Sequence, residues 1–145
     1  MLTKFSLLLM RIGTGMLLVL WGLVRLAGEN MGPKLAAKYY GGLGADATFQ
    51  LAYGALEVVL GVLVVLGIGR RFTLAGAALI LVGGVVPIWR HLLDPFGLWL
   101  FASPDEANLL FFPSLTVAGA VLALIALREH DTLALDRVFG KKGRI

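Results

Sequence analysis

Apolar residues run almost unbroken through four stretches, near 5–28, 48–68, 72–93 and 108–127, while turn-forming and charged residues gather between them. Each stretch reaches the roughly 20 residues that a helix needs to cross the hydrocarbon of a bilayer. The pattern therefore predicts four membrane helices. Only "GIGRR" separates the second from the third, so those two are expected to lie antiparallel as neighbours. The first connection, "ENMGPKLAAKYYGGLGAD", holds a short amphipathic "KLAAKYY" suited to the membrane surface. In the last, "DPFGLWLFASPDEA", prolines, a glycine and aromatic residues predict a segment that skims the interface. The expected fold is all-α: an integral membrane antiparallel four-helix bundle, one domain over 1–145, with a short tail from 128 to 145.

The polar positions inside these stretches are not scattered. In "LLMRIGTGMLLVLWGLVRLAG", at about 100° per residue, Arg25 returns to within roughly 40° of Arg11, and Gly15, Leu18 and Gly22 lie on the stripe between them. Gln50, Gly54, Glu57 and Gly61 form a similar stripe on the second helix. Small residues let helix backbones approach closely in lipid, and polar side chains then bond across the contact. Arg11 starts roughly 9 Å and Glu57 roughly 16 Å from the same membrane face, a difference that a guanidinium arm spans. An Arg11–Glu57 ion pair is the expectation. It has two readings: a register-fixing structural pair, or a proton-relay or ligand group.

A second set of polar residues ends at one depth on the opposite side: Arg25, Gln50, Arg90, His91, Asp94 and Asn108. Tyr53 and Trp89 add flat aromatic surface, and Pro87 loosens the third helix just below. Such a mouth suits a flat, polar-tipped, lipid-soluble molecule or a partner's membrane helix. The alternative is a belt of snorkelling cations and interfacial aromatics.

Composition supports the membrane assignment and narrows the chemistry. The chain is 59% hydrophobic and only 15% charged, with a mean hydropathy of +0.88. It has no cysteine, which excludes disulfides and thiol redox chemistry by this chain alone. With only two histidines and no cysteine, a metal site is not expected. The net charge of +4 arises at the edges of the apolar stretches and so concerns topology before nucleic acid. Lys4, Arg11, Arg70, Arg71, Arg128, Arg137, Lys141, Lys142 and Arg144 fall on one side; Arg25, Lys34, Lys38 and Arg90 fall on the other. The positive-inside rule then puts both termini in the cytoplasm, with Trp21, Trp89 and Trp99 toward the outer interface; the membrane expected is a bacterial or archaeal cytoplasmic one. A retained first span fits better than a cleaved signal peptide, because the apolar run is long and contains an arginine. "GIGRRFTLAG" lacks the spacing of a phosphate loop and reads as a tight turn.

In order, these motifs resemble the DoxX-like family of small four-helix membrane proteins. The arginine-glycine first helix, "ALEVVLGVLVVLGIGRRFTLAG" with its glutamate and arginine turn, and "TLALDRVFG" after the fourth helix carry the resemblance, with Asp105 and Glu106 ahead of that helix. Arg11, Arg25, Glu57 and Arg71 occupy family-like positions. The resemblance implies a membrane subunit of an oxidoreductase complex that links a redox partner to quinone, or a non-enzymatic assembly factor for a larger complex. The absence of cysteine departs from a catalytic role and leaves quinone contact or anchoring.

Overall fold

The computed structural model describes residues 1–28 and 30–140; Lys141, Lys142 and Arg144, counted above in the charge asymmetry, lie outside the described residues. Seven α-helices follow in order: α1 (Leu2–Ala27), α2 (Met31–Tyr39), α3 (Ala47–Leu66), α4 (Arg70–Val85), α5 (Trp89–Leu93), α6 (Pro113–Ala126) and α7 (Leu135–Gly140). Short 3-10 turns at Pro104–Glu106, Leu109–Phe111 and Arg128–His130 link them, and there is no strand among the described residues.

Three helical segments are long and apolar enough to cross a membrane: Leu2–Ala27, Ala47–Leu66 and Pro104–Ala126. The stretch expected as the third span is not one helix. α4 ends at Val85, a turn carries the chain past Pro87, and α5 resumes for five residues. Proline cannot donate an amide hydrogen and its ring crowds the preceding turn, while Gly83 and Gly84 just before it hold a helix weakly. The backbone tightens there into three-residue hydrogen bonds, from Val86 N–H to the Gly83 carbonyl and from Trp89 N–H to the Val86 carbonyl. All but the last residue of the "KLAAKYY" segment falls in α2, and Tyr40 follows the helix directly.

The buried core is narrow and is shared by the four longer helices. Leu7 and Leu18 of α1, Val64 of α3, Leu74 and Ala77 of α4, and Val121 and Leu124 of α6 make one cluster. Large apolar residues such as Phe72, Leu79 and Leu122 instead lie on the outside. That is the expected arrangement for helices whose outer surface meets lipid, where side-chain packing rather than hydrophobic burial holds them together.

The contact between α1 and α3 is the closest. A Cβ on Gly22 would lie 2.5 Å from the Gly54 carbonyl oxygen, and one on Gly15 would lie 2.7 Å from that of Gly61. Rising residue number on α1 meets falling number on α3, so the two run antiparallel. The glycine stripes read from the sequence are the surfaces that meet.

Candidate functional site

The glycine contact decides which charges can pair. Glu57 lies at a level between the Gly15–Gly61 and Gly22–Gly54 contacts, with Arg25 on one side of that level and Arg11 on the other. Side chains on a helix tilt toward its N-terminus. Arg25 therefore leans back down α1 toward Glu57, and Glu57 leans toward the start of α3, which lies beside Arg25. Arg11 leans the opposite way. The Arg11–Glu57 pair expected from depth is accordingly not formed. Arg25 Nε instead donates to Glu57 Oε2 at 2.8 Å.

Around this pair the residues form a connected polar group. Arg25 Nη1 donates to Gln50 Oε1 at 2.6 Å, and Gln50 Nε2 donates to the Gly44 carbonyl at 2.6 Å. The guanidinium carbon stands 4.9 Å from the centre of the Tyr53 ring, within cation–π range. Asp46 caps α3 by accepting from Phe49 N–H, which fixes the first turn that carries Gln50 and Tyr53. Gly32 of α2 admits the Gln50 amide, since a Cβ there would lie 2.5 Å from Gln50 Oε1. Tyr40 lies in the field of the pair: burial pushes its hydroxyl pKa up, Arg25 pulls it down and Glu57 adds to the rise, so it stays protonated at neutral pH. A cleft of about 170 Å³ opens beside Arg25 and Gln50, with Leu26, Leu51 and Pro33 among its apolar walls.

The other residues expected at this mouth divide. His91 is buried, and its Nδ1 accepts the Asn108 backbone N–H at 3.2 Å; its ring packs against Tyr39, Phe101 and Phe111. Trp89 and Arg90 lie outside on the surface, with the Arg90 guanidinium 5.7 Å from the indole centre. Seven of these eight residues thus form an Arg25–Gln50–Tyr53 group, a His91–Asn108 group and an exposed Trp89–Arg90 stack, while Asp94 binds backbone N–H groups of Leu98, Trp99 and Leu100. α2 joins the first two, with Gly32 on Gln50 and Tyr39 on His91.

At the opposite end of α1, Arg11 finds a partner that its own stretch does not reveal. Its Nε lies 3.0 Å from Asp131 Oδ2, with both side chains only 2% exposed. Its remaining nitrogens donate to the carbonyls of Val64, Val65 and Leu133. Arg70 Nη1 reaches the same Asp131 oxygen at 3.4 Å and also donates to the Arg128 and Asp131 carbonyls. Asp136 completes the cluster by accepting from the backbone N–H groups of Gly69 and Arg70, each at 3.0 Å. Gly69, the residue before α4, has a left-handed backbone and no side chain, so Asp136 supplies the cap that α4 lacks. Burial opposes charge on Asp136, but these N–H groups and the Arg70 guanidinium outweigh it and hold its pKa below the usual carboxylate value.

The sequence pointed to Asp136 through "TLALDRVFG" but not to Asp131. The available signal was two arginines, Arg11 and Arg70, buried at one end with an acidic residue just after the last apolar stretch. Among the described residues no cluster of His, Asp and Glu is arranged to hold a metal ion. Comparison with family models, with curated proteins and with solved structures finds no match to this chain.

Proposed function

We propose that the chain is a DoxX-like integral membrane subunit of an oxidoreductase complex, and that the Arg25–Gln50 cleft receives a quinone headgroup from the lipid. In this reading α4 and α5 together make the third of four antiparallel crossings, about 36 Å of chain at about 1.5 Å per residue. Both termini face the cytoplasm. The bonds from Arg70 at the start of α4 to Arg128 and Asp131 after α6 support opposite directions for those two helices.

One observation carries the functional reading: a charge-balanced Arg25–Glu57 pair stands beside a cleft with apolar walls. The carboxylate neutralises the guanidinium, so a neutral ligand is not asked to compensate a buried charge. Arg25 has five N–H donors, and its bonds to Glu57 and Gln50 use two of its nitrogens. A quinone carbonyl needs one or two donors, and Leu26, Pro33 and Leu51 offer apolar walls beside them. Because Leu26 and Leu51 are exposed at the ends of apolar helices, the ligand enters sideways from lipid.

The second reading is a non-enzymatic assembly factor, favoured by the Arg11–Asp131–Arg70 cluster, which ties the ends of α1, α4 and the segment after α6 together. Native purification followed by lipid extraction separates the two. A quinone retained by the protein and lost on Arg25→Ala supports the first. A stoichiometric membrane partner without quinone, retained by Arg25→Ala, supports the second and overturns the first.

A further inference from the structure

The segment between α5 and α6 buries one carboxylate, that of Asp94, and turns several large apolar side chains outward. Asp94 is fully buried, and its carboxylate accepts three backbone N–H groups: Leu98 at 2.8 Å, Trp99 at 2.6 Å and Leu100 at 2.8 Å. Gly97 has a φ of +68°, and a Cβ there would lie 2.7 Å from Pro104 Cα, so the two limbs of the segment touch at that point. His91 holds the far limb through the Asn108 N–H. These groups order the backbone without covering its side chains. Phe96 is 64% exposed, Leu98 62%, Trp99 76% and Leu110 84%.

We propose that residues 95–112 form a preordered apolar platform seated in the headgroup–acyl boundary of the leaflet at the Arg25 end, with phospholipid as its occupant. This rests on the membrane-spanning reading above. Fixing large apolar residues in water is unfavourable, and an exposed patch of this kind marks a surface that something else covers. Continuity identifies the cover as lipid. The exposed residues pass from Leu110 through Phe112 to Leu115 on α6, at the outer end of the apolar stretch Pro104–Ala126. The platform is therefore the outward continuation of a lipid-facing helix surface. Its tryptophan, phenylalanine and leucine side chains are those that partition into the boundary region, where an indole ring meets both hydrocarbon and water. Asp105 and Glu106 are exposed at its edge and set its polar rim.

The test uses full-length protein reconstituted in phosphatidylcholine vesicles. Trp21 and Trp89, both surface residues, are changed to Phe so that Trp99 reports alone. Lipids brominated near the carbonyl or at mid-chain then quench according to depth. Trp99 should be quenched about twofold more by the shallow bromines than by the deep ones, and only weakly by aqueous acrylamide. A parallel protein with all three tryptophans replaced by Phe carries Leu79→Trp on the outer face of α4; the mid-chain bromines should quench it.

If that control is quenched while Trp99 responds only to acrylamide, the platform lies in water and the proposal falls, with the spanning reading intact. If neither tryptophan meets bromine, both fall. Stronger quenching of Trp99 by the deep bromines than by the shallow ones overturns the interfacial placement.

Discussion

Removing Asp131 should damage the protein more than removing either arginine that it serves. One buried carboxylate oxygen lies against Arg11 and Arg70, so Asp131→Ala strands two guanidinium groups at once. Breaking a buried pair from one side typically costs about 3–5 kcal/mol. Here the loss falls within that range and not at twice it, because each arginine keeps backbone acceptors: Val64, Val65 and Leu133 for Arg11, Arg128 and Asp131 for Arg70. Arg11→Met leaves Asp131 still paired with Arg70 and strands no charge, only the carbonyl acceptors of Val65 and Leu133, so a loss nearer about 1.5–3 kcal/mol is expected, that of a charged hydrogen bond. Asp131→Asn keeps the shape and one acceptor and should fall between them. Reversible unfolding in mixed detergent micelles, followed by helix circular dichroism, measures each variant. A double-mutant cycle between positions 11 and 131 should show coupling above about 1 kcal/mol, whereas one between 11 and 57 should show none. Equal losses for Asp131→Ala and Arg11→Met, or larger coupling in the 11–57 cycle, would refute the shared-carboxylate reasoning.

The glycine contact gives a second comparison: Gly22→Ala puts a Cβ 2.5 Å from the Gly54 carbonyl, and Gly13→Ala meets nothing within 4 Å. Overpacking should cost Gly22→Ala about 1–3 kcal/mol in the same unfolding assay, while Gly13→Ala is neutral or slightly stabilising; a neutral Gly22→Ala would mean the helices are not in this contact. Acid should destabilise the fold through Asp136 and Asp94. Asp94, like Asp136, is held below the usual carboxylate value: burial opposes its charge, but the N–H groups of Leu100, Trp99, Leu98 and Gly97 outweigh that penalty. A depressed folded-state pKa gives stability that is fully present above the unfolded value, about 3.9 for aspartate, and is lost as pH falls through the folded one. Tm measured down an acid series should drop below about pH 4, and Asp136→Asn should make that drop shallower; an unchanged profile would contradict the assignment.

The sequence was most informative where contact surfaces repeat along one helix. The stripes of Gly15 and Gly22 and of Gly54 and Gly61 were readable because glycine at helical spacing in an apolar stretch has few other uses. α2 was readable because its polar face interrupts the hydropathy. The partner of Arg11 was not, since Asp131 is 120 positions away and nothing local announces that the chain folds back after α6. Depth alone matched Arg11 with Glu57; the tilt of side chains toward helix N-termini separates them. The sequence marks Pro87 as a point that loosens the third helix. It ends α4 outright, so Trp89 and Arg90 turn to the surface while His91 turns in.

The cap that Asp136 provides to α4 has a consequence for how the protein is made. A ribosome delivers residues in order, so α3, the turn at Gly67–Gly69 and α4 all emerge before the carboxylate that completes their junction. Until residues 131–136 follow, the amides of Gly69 and Arg70 lack that acceptor and the Arg11 and Arg70 side chains lack their anion. The helices can enter the membrane one after another, but the junction is sealed only when the segment after the last of them arrives. A nascent chain that ends before Asp131 therefore holds Arg11 and Arg70 side by side without the carboxylate that joins them.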